Sequence, residues 1–178
     1  GLASFVWLEL CANDRDSTGT LTTYFSLYAG ANLLGAMAYG QQWFAKCDGF
    51  EVFSALIGRL APLGRREDGA IVLRNPLNNL DSTPEDRGLV AVLGVMLGST
   101  AFDSFTSTTW WYDRTFESNM SPQTLSTIAL AISIGGVTLA FAVASWLAGV
   151  LSRRGPHGIA TAFSHSLIPI AVGYLIAH

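Results

Sequence analysis

The sequence predicts an all-α fold: a polytopic transmembrane helix bundle, present as a fragment with about five transmembrane segments. Charged residues make up only 13% of the 178 positions, about half of what soluble domains carry, while 50% are hydrophobic and the mean hydropathy is +0.38. The apolar residues are also gathered into long runs. The net charge of −3 leaves no basic surplus to neutralise a phosphate backbone, so we expect no nucleic-acid partner.

Five apolar runs are predicted membrane segments within one membrane domain that covers residues 1–178. They lie approximately at residues 1–12, 21–40, 89–111, 124–151 and 159–178. The second and fourth carry no charge and are long enough for a bilayer core of roughly 30 Å. Ser121 and Pro122 provide an N-cap and a first helical residue for the fourth. The first run rises only about 17 Å as a helix and the last reaches His178 without a polar exit, so we expect both to be truncated.

The third run, 89–111, is apolar only in its first part. Asp103 then lies within Gly98 to Ser107, a stretch rich in glycine and in serine and threonine hydroxyls. Such a stretch can support an unwound backbone that lines a polar cavity, or it can lie at the wet outer interface. The sequence therefore leaves two readings of this run open, a full span or a re-entrant segment.

The region 41–88 is predicted to be a non-spanning loop that contains one amphipathic helix. Asp48 and Glu51 have the spacing of a capping box before a run of apolar residues three to four apart, and the helix should end before Pro62. An interfacial or re-entrant helix and an ordinary loop helix packed on the bundle are equally compatible with this pattern. Asp68 and Gly69, followed by an apolar run, predict a turn and a strand.

The basic residues predict the orientation in a bacterial plasma membrane. If 89–111 spans, Arg15 and Arg114 lie on one side of the membrane and eight basic residues lie on the other. These eight are Lys46, Arg59, Arg65, Arg66, Arg74, Arg87, Arg153 and Arg154. By the positive-inside rule, loops 41–88 and 152–158 should face the cytoplasm. Cys11 and Cys47 would then lie on opposite sides, so we expect free thiols.

Small residues four apart predict where membrane helices touch, because they let two backbones approach closely. The longest such row is formed by Gly136, Ala140, Ala144 and Ala148. Shorter pairs are Gly94 with Gly98 and Ala31 with Gly35. We therefore expect the four-membered row to be the main packing face of the fourth segment.

Ionisable residues inside the predicted spans are the candidate functional residues, because an Asp at a helix centre costs about 2.5 to 3.5 kcal/mol to insert. They are Glu9, Asp103, His165 and His178. Pro169 lacks the N–H that would bond the carbonyl of residue 165, which concentrates polarity near His165. We expect Asp103 and His165 to serve separate polar sites. The sequence contains no cofactor-binding motif and assigns neither a cofactor nor a metal.

Four blocks of the sequence carry a family resemblance: FVWLEL, DGFEVFSALIGRLAPL, GSTAFDSFTS and FSHSLIPIAVGYLIAH. Together and in this order they resemble an actinobacterial family of multi-pass membrane proteins often named fenitrothion hydrolase. The name implies hydrolysis of organophosphate esters, which usually depends on a metal-activated water and several His and Asp ligands. In this chain the candidates for such roles would be Asp103, His165, Glu9 and His178.

Three functions are compatible with these observations. A transporter-like or polar-cavity bundle is favoured by the polar stretch around Asp103 and by the Ser164-His165-Ser166 region. A membrane-embedded hydrolase is the alternative that the resemblance implies, and a non-catalytic assembly subunit is the third. We expect the lipid bilayer and further transmembrane helices of the same polypeptide as partners, and the sequence leaves oligomer formation open.

Overall fold

The computed structural model describes residues 1–66, 69–76, 87–151 and 163–177, with the side chains of all of these except residues 87, 165 and 174–177. The chain is mostly helical, as predicted. It divides into two compact units. Unit 1 contains residues 1–52 and 95–137, and unit 2 contains residues 53–94 and 138–178.

Among the described residues, eight α-helices and one two-stranded hairpin have both ends defined. The helices are α1 (Leu2–Cys11), α2 (Thr18–Tyr39), α3 (Gln42–Cys47), α4 (Gly49–Arg59), α5 (Arg87–Thr106), α6 (Thr109–Glu117), α7 (Pro122–Leu151) and α8 (Ile168–Ala177). The strands are β1 (Leu63–Arg65) and β2 (Ile71–Leu73). The predicted loop 152–158 and His178 lie outside the described residues.

Two helices are long and apolar enough to cross a membrane. The mean hydropathy of their most apolar stretch is 1.6 in α5 and 2.1 in α7. The helix α2, with 22 residues, is also long enough to span, but it carries more polar residues and is not apolar enough to count as a candidate span. The ten residues of α1 are too few to span. Length and composition therefore support two of the five predicted segments, and the third predicted run ends as a helix at Thr106 rather than at residue 111.

The core of unit 1 joins the first helix to three later ones. Val6 and Cys11 of α1 are buried together with Phe102 of α5, Trp111 of α6 and Leu130 of α7. The rings of Phe102 and Trp111 meet edge to face with centroids 5.7 Å apart, the arrangement that the quadrupoles of two rings favour. This cluster packs α1, α5, α6 and α7 around one apolar centre.

Two side-chain hydrogen bonds attach α1 to the beginning of α7. The indole N–H of Trp7 donates to the hydroxyl of Thr127 at 2.9 Å, and the amide of Asn13 donates to the side-chain oxygen of Gln123 at 3.1 Å. The helix α7 itself begins as predicted, since Ser121 accepts a hydrogen bond from the backbone N–H of Thr124 and Pro122 is the first helical residue.

Gly98 lets α5 and α7 approach closely in unit 1. A Cβ atom at this position would lie 2.5 Å from the Cα of Ile134, so only glycine fits without moving a backbone. The hydroxyl of Ser133 donates to the carbonyl of Gly98 at 2.7 Å. Because Phe102 shares the core with Leu130 while Gly98 meets Ile134, the two helices run antiparallel.

The row of small residues predicted to be the packing face of α7 makes no close helix contact within unit 1 or within unit 2. Gly136 is exposed, with nothing within 4 Å of where its Cβ would lie, and the alanines at 140, 144 and 148 are exposed among the described residues. In unit 2 the contact is made instead by Gly94, whose Cβ would lie 2.1 Å from the hydroxyl oxygen of Thr138. The shorter glycine pair of α5 is thus confirmed as a contact, and the expectation for the four-membered row is wrong within the described chain.

Unit 2 contains the hairpin that the turn residues predict. The strands pair antiparallel with Leu63 opposite Leu73, and Gly69 has a φ of +86°, a conformation that favours glycine. Asp68 of the predicted turn lies outside the described residues. The helix α4 ends at Arg59, before Pro62, as predicted.

The last predicted run is broken rather than continuous. His165–Leu167 forms a turn of 3₁₀ helix, and α8 then begins at Ile168. Pro169 therefore lies in the first turn of a new helix, where its missing N–H removes no helical hydrogen bond. The expectation that Pro169 leaves the carbonyl of residue 165 unbonded inside a regular helix is corrected accordingly.

Candidate functional site: an aromatic groove

Asp103, the leading candidate from the sequence, lies in a regular helix. The backbone of α5 stays helical from Arg87 to Thr106, so the unwound stretch around Asp103, one of the two arrangements that the sequence leaves open, is not found in this described helix. The side chain of Asp103 is half-buried. Its carbonyl accepts a hydrogen bond from the hydroxyl of Thr106 at 2.8 Å.

The serine and threonine hydroxyls around Asp103 explain why the helix is not interrupted. Ser99 and Thr100 each donate to the carbonyl three residues earlier at 2.9 Å, and Ser107 does the same at 2.7 Å. A hydroxyl that bonds its own helix needs no polar cavity for satisfaction. A composition that is compatible with a cavity is therefore found here in a regular helix, where these three hydroxyls bond backbone carbonyls of the preceding turn.

The remaining candidates that the structure describes belong to different elements. Glu9 is an exposed residue of α1, and its carbonyl accepts a hydrogen bond from the guanidinium of Arg15 at 2.9 Å. His165 belongs to the 3₁₀ turn in unit 2, whereas Asp103 belongs to unit 1. The side chain of His165 and all of His178 lie outside the described part of the chain. The expectation that Asp103 and His165 serve separate sites stays a prediction.

A different set of polar side chains meets in unit 1, where the chain reverses after α2. Gly40 ends α2 with a φ of 72°, a left-handed conformation that glycine adopts at little cost. The short helix α3 follows and packs back along α2. Because of this reversal, residues that follow α2 in sequence lie beside the middle of α2.

Trp43 of α3 fixes the reversed segment against α2. Its indole ring covers Gly35, where a Cβ would lie 2.1 Å from the ring, and it stacks on Tyr39 with centroids 5.5 Å apart. Its N–H donates to the side-chain oxygen of Asn32 at 3.1 Å. Gly35 of the predicted small-residue pair thus receives a tryptophan ring and not a neighbouring membrane helix.

Asp48 connects the end of α3 to both α2 and α4. One oxygen of its carboxylate, Oδ1, accepts hydrogen bonds from the hydroxyl of Tyr28 and from the backbone N–H of Phe50 at 2.9 Å, with a longer one from Glu51 at 3.4 Å. Asp48 therefore caps α4, as its spacing to Glu51 predicts. The bond to Tyr28 was not predictable from that spacing.

Between α1, α2 and α3 lies an open cavity of about 350 Å³, which we call the aromatic groove. Its polar and aromatic lining is contributed by Ser4, Tyr24, Tyr28, Asn32, Trp43 and Cys47. The rings of Tyr24 and Tyr28 stack with their planes 21° apart. Cavities that hold small molecules start at about this size and combine apolar walls with a few polar groups.

The two cysteines occupy different environments. Cys11 is buried in the core of unit 1, Cys47 is exposed in the wall of the aromatic groove, and neither is in a disulfide. This agrees with the expected free thiols.

Among the described residues, no group of three His, Cys, Asp or Glu side chains is placed to hold a metal ion. The aromatic groove is instead lined by tyrosine and tryptophan side chains, and the carboxylate of Asp48 lies behind one wall, bonded to Tyr28. Such an arrangement can bind and orient a small polar molecule. Comparison of the chain with protein-family models, curated proteins and solved structures finds no match. The resemblance to the fenitrothion hydrolase family therefore stays a prediction.

Proposed function

We propose that this chain belongs to an integral membrane helix bundle of the transporter-like, polar-cavity kind. In this proposal α5 and α7 cross the bilayer as an antiparallel pair, and the aromatic groove between α1, α2 and α3 is the polar cavity. The observation that carries the proposal is the exposure of α7. The most apolar stretch of this helix has a mean hydropathy of 2.1, yet only 6% of the residues in that stretch are buried.

The exposed surface of α7 is difficult to reconcile with water. Ile132 and Leu139 keep 69% and 65% of their surface exposed, and Trp146 keeps 53%. Each Å² of apolar surface left in water costs roughly 25 cal/mol relative to burial, so a 30-residue helix with this surface would be strongly disfavoured in an aqueous phase. In hydrocarbon the exposure of the same apolar side chains carries no free-energy cost. The backbone N–H and C=O groups of the helix are hydrogen-bonded to one another and need no water.

The beginning of α7 has the polarity expected of a membrane boundary. Ser121 caps the helix, and Gln123 pairs with Asn13 from the polar turn that follows α1. The helix α5 ends close by in sequence, at Thr106, and is followed by α6 with its exposed Trp110 and Tyr112. Tryptophan and tyrosine are enriched at membrane interfaces, which supports placing this end of the pair there.

A charge placed in the middle of α7 tests the membrane proposal. Leu139→Arg should disfavour insertion of α7 by about 2.5 to 3.5 kcal/mol, because an arginine at the centre of a spanning helix must enter hydrocarbon. The matched control is Leu73→Arg in strand β2, where the leucine is 81% exposed and a charge should change stability by no more than about 0.5 kcal/mol. The measurement is the inserted fraction in a microsomal translation assay, followed by alkaline extraction.

Comparing the two variants shows whether α7 is surrounded by lipid or by water. An exposed leucine in water tolerates arginine, so a freely soluble chain, or equal behaviour of the two variants, would contradict the proposal. Loss of insertion in Leu139→Arg alone would support it.

A further inference from the structure

The hairpin of unit 2 keeps an apolar face exposed. Residues opposite one another in an antiparallel pair point to the same side of the sheet, and side chains alternate along each strand. One face, which we call the outer hairpin face, therefore carries Leu63, Arg65, Ile71 and Leu73. Its three aliphatic residues keep between 62% and 81% of their surface exposed. An exposed apolar patch rimmed by polar groups marks a site of contact with a membrane or another protein.

The opposite face of the hairpin is partly covered. Gly64 and Val72, which lie on this face, are half-buried. A Cβ atom at Gly64 would lie 2.5 Å from Nε of Arg74, so the glycine leaves the space in which this arginine side chain crosses the strand. The outer hairpin face is therefore the one that is open to an external partner.

Basic residues accompany the outer hairpin face. Arg65 lies on it and Arg66 follows β1 directly; both are exposed, and neither forms an ion pair with a residue that the structure describes. The sequence from 59 to 76 carries four arginines against two acids, Glu67 and Asp68, which lie outside the described residues. Arginine can pair with a phosphate through two parallel N–H bonds. Aliphatic side chains beside arginines therefore suit a surface of phosphates over hydrocarbon, which is the structure of a bilayer interface.

The backbone of the hairpin limits how deep it can lie in a bilayer. A two-stranded sheet leaves N–H and C=O groups unpaired along both outer edges, and hydrocarbon cannot satisfy them. Water among the lipid headgroups can. The hairpin also belongs to the same unit as the beginning of α5 and the end of α7, the two proposed spans. These features favour the headgroup region over the hydrocarbon core.

From this combination we infer that the outer hairpin face docks onto the surface of a bilayer that contains anionic phospholipid. Its aliphatic residues lie among the upper acyl chains, and its arginine binds lipid phosphates. The inference rests on the proposed membrane crossing of α5 and α7, because these helices would hold the hairpin at the bilayer. It agrees with the expectation that loop 41–88 faces the cytoplasm, where anionic lipids make the membrane surface negative.

A fluorescent probe on the outer hairpin face tests the docking. Leu73→Cys is labelled with nitrobenzoxadiazole in a Cys47→Ser chain, where the other cysteine, Cys11, is buried. In nanodiscs of mixed phosphatidylglycerol and phosphatidylcholine, the emission should shift to the blue and be quenched by lipids with a nitroxide near the headgroup. In phosphatidylcholine alone, both effects should be at least about twofold smaller. The control label at Asp16→Cys, a position where the side chain is 97% exposed, should report water in both lipids.

The probe result can overturn the inference directly. Water-like emission at both labelled positions in the mixed nanodiscs would show that the outer hairpin face does not touch lipid. Equal signals from Leu73→Cys with and without phosphatidylglycerol would contradict the anionic partner.

Substitution of one arginine tests the phosphate contact. Arg65→Gln should lower the ratio of docked to free hairpin at least about threefold in the mixed nanodiscs, and Arg65→Lys should keep most of the docking because it keeps the charge. Arg74 is left unchanged, since its side chain packs over Gly64. The matched control Arg114→Gln removes one exposed basic residue of α6 and should leave the probe signal unchanged. Equal signals for Arg65→Gln and the parent would contradict the assignment.

The number of chains in a nanodisc separates lipid from a second copy of this chain. Shielding of the probe in nanodiscs that hold one chain supports docking onto lipid. Shielding seen only in nanodiscs that hold two chains would assign the outer hairpin face to a second copy and overturn the inference. The Leu73→Arg control for insertion stays valid, because an arginine among headgroups costs little. A probe that stays in water, in a chain whose Leu139→Arg variant loses insertion, would reject the docking and leave the membrane proposal standing.

Discussion

The helices α5 and α7 are both long and apolar, but they use their small residues in opposite ways. Both glycines of the α5 pair, Gly94 and Gly98, meet residues of α7, and 39% of the apolar stretch of α5 is buried. On α7 the longer row that begins at Gly136 faces outward. Gly136 is two residues from Ile134 and two from Thr138, which places it about 200° around the helix from each. A row of small residues therefore permits a contact, and the position of the larger partners decides whether one forms.

The largest expected effect compares one glycine from each helix. Gly98→Leu should destabilise the folded chain by about 3 kcal/mol, because the new side chain meets the backbone of Ile134, which cannot rotate away. Gly136→Leu should change stability by no more than about 0.5 kcal/mol, since nothing lies near its added Cβ. Both are measured as the midpoint of unfolding in mixed micelles of increasing denaturing detergent. A larger shift for Gly136→Leu would restore the four-membered row as the packing face.

A smaller loss of stability is expected from a substitution that creates a cavity on the contact face of α7. Leu130 is 4% exposed within the core of unit 1, so Leu130→Ala should cost about 2 kcal/mol. Ala144→Leu adds side-chain volume to the exposed row and should be nearly neutral. Thermal unfolding followed by circular dichroism measures both changes. If Ala144→Leu proved the more damaging of the two, the exposed row would have to be in contact.

The smallest effect concerns the hydrogen bond that accompanies the glycine contact. Ser133→Ala should cost about 0.6 to 1 kcal/mol by removing the donor to the carbonyl of Gly98. Ser107→Ala removes a hydroxyl that bonds only its own helix, and it should be neutral or slightly stabilising. Equal unfolding midpoints for the two variants would mean that the bond between the helices contributes nothing measurable to stability.

Local signals in the sequence predicted local structure well. Ser121 with Pro122 located the beginning of α7, and Asp48 with Glu51 located that of α4. Gly69 located the hairpin. Each of these depends on residues within a few positions of one another, so the sequence alone contains the whole physical cause.

The aromatic groove could not be predicted in the same way. Tyr28 and Asn32 look like ordinary polar residues of an apolar helix until Gly40 reverses the chain and brings Trp43 and Asp48 beside them. The conformation of Gly40 and the fit of a ring over a glycine depend on packing in three dimensions. The stretch around Asp103 shows the converse, because its composition also suits a regular helix in which the hydroxyls of Ser99, Thr100 and Thr106 bond carbonyls of the preceding turn.

The hydrogen bonds of the groove also imply an order of assembly during synthesis. Tyr28 and Asp48 are 20 residues apart, and Asn32 and Trp43 are 11 apart, whereas Trp7 and Thr127 are 120 apart. Contacts between near neighbours along the chain lose little entropy on closing, so the groove is expected to form before α5 leaves the ribosome. The buried face of α1 is covered by α7 only once Thr127, 120 residues after Trp7, has been synthesised. A nascent chain arrested between these two points would carry a finished groove and an uncovered α1, which makes that stage the one most dependent on a chaperone or on early entry into lipid.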